Sequence, residues 1–206
     1  MDWEYCPNRD DHPLRAIGID VVTTMLDIGM IVDLTHSTPA ARRDVFCINK
    51  KRQSPRPLVF THTGSQEIFE KYNRGRYPDF KYYCLSKDEI HSVSECNGII
   101  GIIPENFWLV GANTHLKEFD PELFRNGIAY MIETIEDINE KTKLKDFSNI
   151  GIGTDFDGLA DVPADFYKPS QGGALITALC NKFTSEQVQM MTSGNALRVL
   201  KEGWDN

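Results

Sequence analysis

Four apolar runs of strand length, each followed by a segment with helical periodicity, constrain this chain more than any other feature. The runs lie near residues 30–35, 57–61, 99–103 and 149–154 and are rich in β-branched residues. Continuously apolar strands are typical of parallel sheets, whose strands are joined by helical crossovers. The pattern therefore predicts an α/β fold of parallel strands with helical crossovers, formed as a single domain over residues 1–206. It leaves open whether the sheet is open or closed.

The first helical segment follows Asp11, a possible N-cap, and Pro13, a residue that favours helix starts. Apolar residues spaced by three and four predict its inward face, which is Leu14, Ile17, Val21, Met25 and Ile28. Gly29 is placed to end this helix.

Later helices carry equally clear start signals. Capping boxes begin at Ser86 and Thr184, and a long amphipathic helix is predicted from Asp120 and Pro121 to Ile138. For the carboxyl-terminal helical region the predicted inward residues are Val188, Met191, Leu197 and Leu200.

Three of the four apolar runs end in a side chain that can bind a metal ion. The first two end at His36 and His62, and the last delivers Asp155. Because the carboxyl ends of parallel strands meet at one edge of a sheet, these side chains are expected to point at a common spot. Two imidazoles and a carboxylate are metal-ligand chemistry. The alternative is that each is a cap or a hydrogen-bonded polar group, which is the commoner use of any single one.

Two further stretches offer groups for substrate recognition. Arg74 and Arg76 lie in a Gly- and Pro-containing loop among tyrosines, where a guanidinium could grip a carboxylate. The alternative for this loop is a surface segment with ordinary cation–π packing. Glu105 and Asn106 follow the third apolar run, at the rim where active sites are built, and are candidates for substrate contact.

Composition excludes several classes of function. The net charge is −8, with 30 acidic against 22 basic residues, so the basic surface of a nucleic-acid-binding protein is missing. No apolar run reaches membrane-spanning length, and the first residues carry no basic or apolar signal region, so we expect a cytoplasmic protein. Five scattered cysteines without a C-x-x-C pair predict reduced thiols.

Four motifs together resemble the membrane (renal) dipeptidase family, peptidase family M19. They are GMIVDLTHS at 29–37, VFTHT at 59–63, GIGTDFDG at 151–158 and GNALRVL at 194–200. The third is the most specific, and the similarity runs from about Leu14 to Leu200. The resemblance implies a TIM-type (β/α)8 barrel of the amidohydrolase superfamily that holds two zinc ions and hydrolyses dipeptides.

By this resemblance, His36 and His62 match the two histidines that bind the second zinc ion. Asp155 matches the aspartate that handles the proton of the metal-bridging water, and it also counts among the metal-site residues. Arg74 or Arg76 would hold the carboxylate of the dipeptide.

Other family features have no counterpart in this sequence. These are the first-strand His-x-Asp pair, the bridging glutamate of the third strand, and the histidine after the fourth strand that steadies the oxyanion. The resemblance therefore implies the C-terminal half of a barrel, with about four strand–helix units and half of the metal site.

The leading hypothesis is a zinc-dependent dipeptidase, or the C-terminal part of one, with a dipeptide as its small-molecule substrate. The alternative is a catalytically incomplete half-barrel that acts as a partner subunit or pseudoenzyme. A weaker third hypothesis is a different hydrolase that cleaves another amide or ester on the same barrel. Because two strand edges of a half-barrel lack partners, we also expect a homodimer or dependence on an N-terminal half.

Overall fold

The computed structural model describes residues 12–73, 78–111, 122, 125–159 and 161–204. One parallel sheet runs in the order β1 (Val32–Asp33), β2 (Leu58–Thr63), β3 (Ile99–Ile102) and β4 (Ile150–Ile152). All three pairings join neighbours in sequence, so each connection is a crossover that returns to the same end of the sheet. The predicted α/β fold of parallel strands with helical crossovers is confirmed.

Helices connect the strands and cover the sheet. Between β1 and β3 lie α2 (Pro39–Lys50), α3 (Gln66–Asn73), a 3₁₀ helix (Pro78–Tyr83) and α4 (Lys87–Glu95), and α1 (Ala16–Asp27) precedes β1. After β3 follow α5 (Asn106–Val110) and α6 (Gly127–Lys141). After β4 come a 3₁₀ turn (Pro169–Gln171), α7 (Gly172–Cys180), α8 (Ser185–Gln189), a π-helical turn (Met190–Gly194) and α9 (Asn195–Trp204).

The two faces of the sheet are packed differently. On one face, Leu58, Phe60 and Ile100 are fully buried in a core built with α1, α2, α4 and α6. On the other face, Val59 and Ile99 form a small cluster with Val199 of α9. A cavity of about 430 Å³ lies beside this cluster and is lined mostly by apolar side chains. The second face is therefore only partly filled by the described part of the chain.

The inward face predicted for the first helical segment is correct only in part, since Leu14 and Met25 pack against the core but the other three predicted residues do not. Val22 and Leu26 are buried, whereas Ile17, Val21 and Ile28 are 73%, 52% and 68% exposed. Apolar residues occur around much of this helix, so spacings of three and four can be traced along more than one stripe. Packing against α2 selects the stripe that contains Leu26. The turn at Gly29, with φ of 78°, follows the helix as predicted.

The carboxyl-terminal helices are displaced in register from the prediction. Val188 and Met191 are buried as expected, but Leu197 and Leu200 are exposed, and Asn195 and Val199 are buried instead. The buried residues follow one another at spacings of three and four, which is a single helical stripe, whereas Leu197 lies six residues after Met191 and falls off that stripe.

Other predictions stand where the structure describes them. Both capping boxes are formed, and the inward residues Ile128, Met131, Ile135 and Ile138 of α6 are buried. The predicted start of that helix at Asp120 lies outside the described residues. Cys47, Cys84, Cys96 and Cys180 are free thiols. Among the helices that the structure describes, none is long and apolar enough to cross a membrane.

The two faces of α1 should differ sharply in stability. Replacing the fully buried Leu26 by Ala should lower the free energy of unfolding by about 2–5 kcal/mol, because the change leaves a cavity. Replacing the exposed Ile17 by Ala should change it by about 0.5 kcal/mol or less. Urea denaturation of the two variants measures the difference. Equal losses would mean that Ile17 is covered in solution.

Candidate active site

The structure brings together the three strand-end residues that the sequence singled out. His36 follows β1, His62 lies near the end of β2, and Asp155 follows β4. The Nε2 atoms of His36 and His62 are 2.9 Å apart, and Oδ2 of Asp155 lies 3.7 Å from Nε2 of His62. The predicted convergence of these three side chains at one edge of the sheet is therefore observed.

Glycines let β2 and β4 approach each other across β3. The β2–β3 register shifts between Phe60 and Thr63, and the carbonyl oxygen of Thr61 lies over the neighbouring strands. A Cβ atom on Gly101 would come within 2.1 Å of that oxygen, and one on Gly153 within 1.9 Å. Only glycine fits at both positions. The irregularity therefore carries His62 toward the end of β4.

The backbone at the end of β4 adopts a left-handed conformation that is uncommon for residues other than glycine. Asp155 has φ of 43° and Asp157 has φ of 74°, and the N–H of Gly158 donates to the carbonyl of Asp155. A Cβ atom on Gly158 would lie 2.7 Å from Oδ2 of Asp155, so glycine leaves room for the carboxylate. Strained backbone of this kind clusters at functional sites.

A network that the sequence analysis missed holds the two histidine-bearing segments together. The carboxylate of Asp33 accepts hydrogen bonds from the N–H and hydroxyl of Thr35 and from the N–H and hydroxyl of Thr61. Burial opposes its charge, but these four bonds outweigh burial and lower the pKa of Asp33. The signal was present in the sequence, since Asp33 is a charged residue inside an apolar strand.

The same network fixes the ring of His62. The Thr61 hydroxyl gives its proton to Asp33 at 2.7 Å and lies 3.0 Å from Nδ1 of His62. Having donated its proton, the hydroxyl can only accept, so the proton of a neutral His62 sits on Nδ1. The lone pair of Nε2 then faces His36. Such a partner is typical of histidines that bind metal ions.

Electrostatics favour the neutral form of His62. Burial is the main cause that lowers the pKa of His62, and the neighbouring His36 adds to it, while Asp155 and Asp33 oppose the shift. The neutral imidazole is the form that ligates metals.

The donor set fits part of a zinc site. Two imidazole nitrogens converge, one of them with its second nitrogen held, and a carboxylate stands close by. Within the described ranges, however, no group of three or more His, Cys, Asp or Glu side chains is arranged to hold a metal ion. The residues that the structure describes thus offer two nitrogen donors and a nearby carboxylate, which is less than a complete coordination shell.

Aromatic side chains wall one side of the histidine pair. The Trp108 ring centroid lies 5.8 Å from that of His36 and 5.6 Å from that of His62, and Tyr83 contacts the far side of the indole. These rings form an aromatic surface on one side of the pair, while His36 itself remains exposed.

The predicted substrate-binding residues are placed less clearly. Asn106 begins α5 and is fully buried, and neither polar atom of its side-chain amide has a hydrogen-bond partner among the residues that the structure describes. Glu105, the residue before it, is also buried, and its carboxylate accepts from the N–H of Asp161. Arg74 and Arg76 lie outside the described residues. A role for Asn106 or for either arginine in substrate binding stays a prediction.

Comparison with known proteins identifies the family. The family model of membrane dipeptidases (peptidase family M19) matches residues 4–204. The chain belongs to this family. Among curated proteins, it is 25% identical over 194 residues to the uncharacterised dipeptidase C965.12 of Schizosaccharomyces pombe, covering 93% of this chain and 40% of that protein. It is 26% identical over 190 residues to the dipeptidase aclJ of Aspergillus oryzae, covering 91% of this chain and 38% of that protein.

Solved structures of the family share the fold. One, a metallopeptidase of family M19 named dipeptidase AC, superposes with a TM-score of 0.74 at 18% identity, over 95% of this chain and 50% of that chain. Another is a metallopeptidase of Rhodobacter sphaeroides bound to a phosphinate mimic of the dipeptide L-Ala-D-Ala. It superposes with a TM-score of 0.73 at 19% identity, over 94% of this chain and 48% of that chain. This M19 chain thus spans about half the length of the structures it matches and about two fifths of the curated relatives.

The hydrogen bond from His62 to Thr61 predicts the tautomer of His62. In the wild-type chain above the pKa of His62, the ring proton should sit on Nδ1. Thr61→Val removes the acceptor, so the population should move toward the Nε2-protonated form, whereas Thr61→Ser keeps the hydroxyl and should keep the Nδ1 proton. Long-range ¹H–¹⁵N spectra of the histidine side chains distinguish the tautomers. The same tautomer in all three proteins would contradict this assignment.

Proposed function

We propose that this chain forms the C-terminal half of a zinc-dependent dipeptidase barrel, with His36 and His62 as metal ligands and Asp155 as the residue that moves the proton. The observation that carries the proposal is the 2.9 Å approach of the two Nε2 atoms beside Asp155. Membership of the M19 family supports dipeptide hydrolysis as the reaction. A zinc ion bound there would polarise the peptide carbonyl and lower the pKa of the attacking water.

Asp155 is suited to proton transfer by its position and exposure. Its side chain is about one-third exposed, at 37%, so water and substrate can reach it. Its carboxylate would take the proton of the attacking water and return it to the leaving amine. Gly158 leaves the space in which the carboxylate sits. His62 donates its Nδ1–H to the Thr61 hydroxyl and so keeps its Nε2 lone pair directed into the site.

The remaining ligands and strands would come from another polypeptide segment. β1 and β4 each have one strand neighbour in the described sheet, and the second face carries the partly filled apolar cavity. Met30, beside β1, is 46% exposed. An N-terminal half or a second copy of the chain would pair with the two strand edges, fill the cavity and bring further ligands to the same rim.

A second candidate function is a non-catalytic half-barrel, which acts as a partner subunit or pseudoenzyme. It is favoured by the finding that, among the described residues, no three His, Cys, Asp or Glu side chains are arranged so that they could hold a metal ion. The two functions differ in what happens when the remaining strands are supplied. A dipeptidase half gains hydrolytic activity, and a pseudoenzyme does not.

Metal binding should depend on the two histidines. Zinc retained after dialysis, measured by elemental analysis, should be lost in the His36→Ala/His62→Ala double variant, because both nitrogen donors are removed. His91→Ala is the matched control, since His91 is exposed on α4 beside Glu95 and far along the chain from the site. Unchanged zinc content in the double variant would refute the ligand assignment.

Hydrolysis should depend on Asp155 but not on its neighbour. With a polypeptide that supplies the missing strands, Asp155→Asn should lower dipeptide hydrolysis by about 10²–10⁴-fold, because the change keeps the size and removes the proton acceptor. Asp157→Asn is the control, since Asp157 is exposed and asparagine tolerates its left-handed backbone. Release of free amino acids measures the rate. Comparable rates for wild type and Asp155→Asn would exclude the proton-transfer role.

A further inference from the structure

The guanidinium group of Arg42 is buried next to the turn that carries His36. Arg42 of α2 is 1% exposed, and its guanidinium lies over the Phe60 ring at 5.2 Å from the centroid. Its Nη1 contacts Oε1 of Glu89 at 3.3 Å, and the Glu89 side chain is also buried. Removing two charges from water is costly, and apolar replacements of such pairs are often as stable or more stable. Stability alone is therefore a poor explanation for this pair.

The second arm of the guanidinium reaches the segment that carries His36. Nη2 of Arg42 donates to the carbonyl oxygen of Thr35 at 3.1 Å. That carbonyl belongs to the planar peptide unit that ends at the nitrogen of His36, so the bond sets the orientation of the backbone from which the imidazole projects. On its other side, the N–H of Thr35 donates to Asp33. Thr35 is thus held from both directions.

Glu89, the partner of Arg42, is itself held in place by the capping box of α4. Its Oε2 accepts from both the N–H and the hydroxyl of Ser86, each at 2.8 Å, in the capping box of α4. One carboxylate therefore caps the N-terminus of α4 with one oxygen and anchors Arg42 with the other. A continuous set of contacts runs from the start of α4, through Glu89 and Arg42, to the turn that bears His36.

We propose that Arg42, anchored by Glu89, is a positioning residue that orients His36 toward Nε2 of His62. The inference rests on the proposed function only in taking His36 as a metal ligand. The orientation itself is a property of the protein without metal. It can therefore be tested in the apo chain as well as by metal affinity.

The test uses three variants of the whole chain. Arg42→Met removes the guanidinium but keeps an apolar stem. Arg42→Met/Glu89→Gln removes both charges and keeps an oxygen for the cap of α4. Arg198→Met is the matched control, because Arg198 also donates to backbone carbonyls, those of Asn97 and Ser148, but at the opposite ends of the strands.

Two measurements are made on each variant. Hydrogen exchange follows the amide of Ser37, which donates to the carbonyl of Leu34 and closes the turn around His36, with the amide of Ile100 in β3 as the internal reference. Zinc affinity is measured by titration of the metal alone.

In the double variant, exchange at Ser37 should accelerate at least tenfold while exchange at Ile100 stays near the wild-type rate. Zinc affinity should fall about 10–100-fold, the usual effect of losing a group that orients a ligand. Arg198→Met should leave both the Ser37 exchange rate and zinc affinity unchanged.

Wild-type protection of Ser37 in the double variant would overturn the proposal whatever the zinc affinity. Equal acceleration at Ser37 and Ile100 would also overturn it, because the pair would then serve only general packing. If the wild-type chain binds no zinc, the proposed metal site fails, but the exchange data still decide whether Arg42 orients the turn.

Discussion

The hydrogen bonds that the carboxylate of Asp33 accepts are the interactions on which the rest of the site depends. β1 is only two residues long, so its backbone ladder to β2 is short. Four hydrogen bonds to Asp33 replace what the ladder lacks, and they tie the turn before His36 to the strand that carries His62. Hydrogen bonds from N–H and O–H groups favour the ionised carboxylate and lower the pKa of Asp33, so the acceptor of this link stays charged at neutral pH.

The link between the His36 and His62 segments does not by itself bring His62 close to Asp155, which follows a strand two positions away in the sheet. In a flat sheet, the ends of β2 and β4 are separated by the whole width of β3, about 10 Å at the usual strand spacing. The register shift in β2, with the Thr61 carbonyl packed onto Gly101 and Gly153, shortens this separation. The regular pairing of β2 and β3 is therefore interrupted next to His62, the residue that lies close to Asp155. Such bulges are common beside active sites.

The sequence predicted those parts of the molecule that depend on local patterns. Strand positions and capping boxes follow from apolar runs and short spacings, and the meeting of His36, His62 and Asp155 follows from strand order alone. The buried face of α1 could not be predicted, because several apolar stripes compete and only packing against α2 selects one. The exposed Leu197 shows a second limit, since the buried stripe of the carboxyl-terminal helices includes the polar Asn195, which a search for apolar residues passes over.

The partners of the histidines escaped prediction for a related reason. Asp33 and Thr61 are close in space through strand pairing, and Arg42 reaches Thr35 and Glu89 only after α2 and α4 have packed together. Contacts of this kind join residues 7 to 47 positions apart, and no short spacing in the sequence records them.

The incomplete ligand set and the partly filled face of the sheet have one physical origin. In a closed parallel barrel, the inward-facing residues of each strand fill the interior, and the residues at the carboxyl end of the same strand form the rim where active sites lie. This chain spans about half the length of the M19 structures it matches, and its described residues show both a partly filled sheet face and an incomplete ligand set. The apolar cavity beside Val59 and Ile99 reaches Thr61, the residue next to His62. Under the proposed function, strands that paired with the free edges of the sheet would also bring their own carboxyl ends to the rim, so metal binding and closure of the sheet would be coupled.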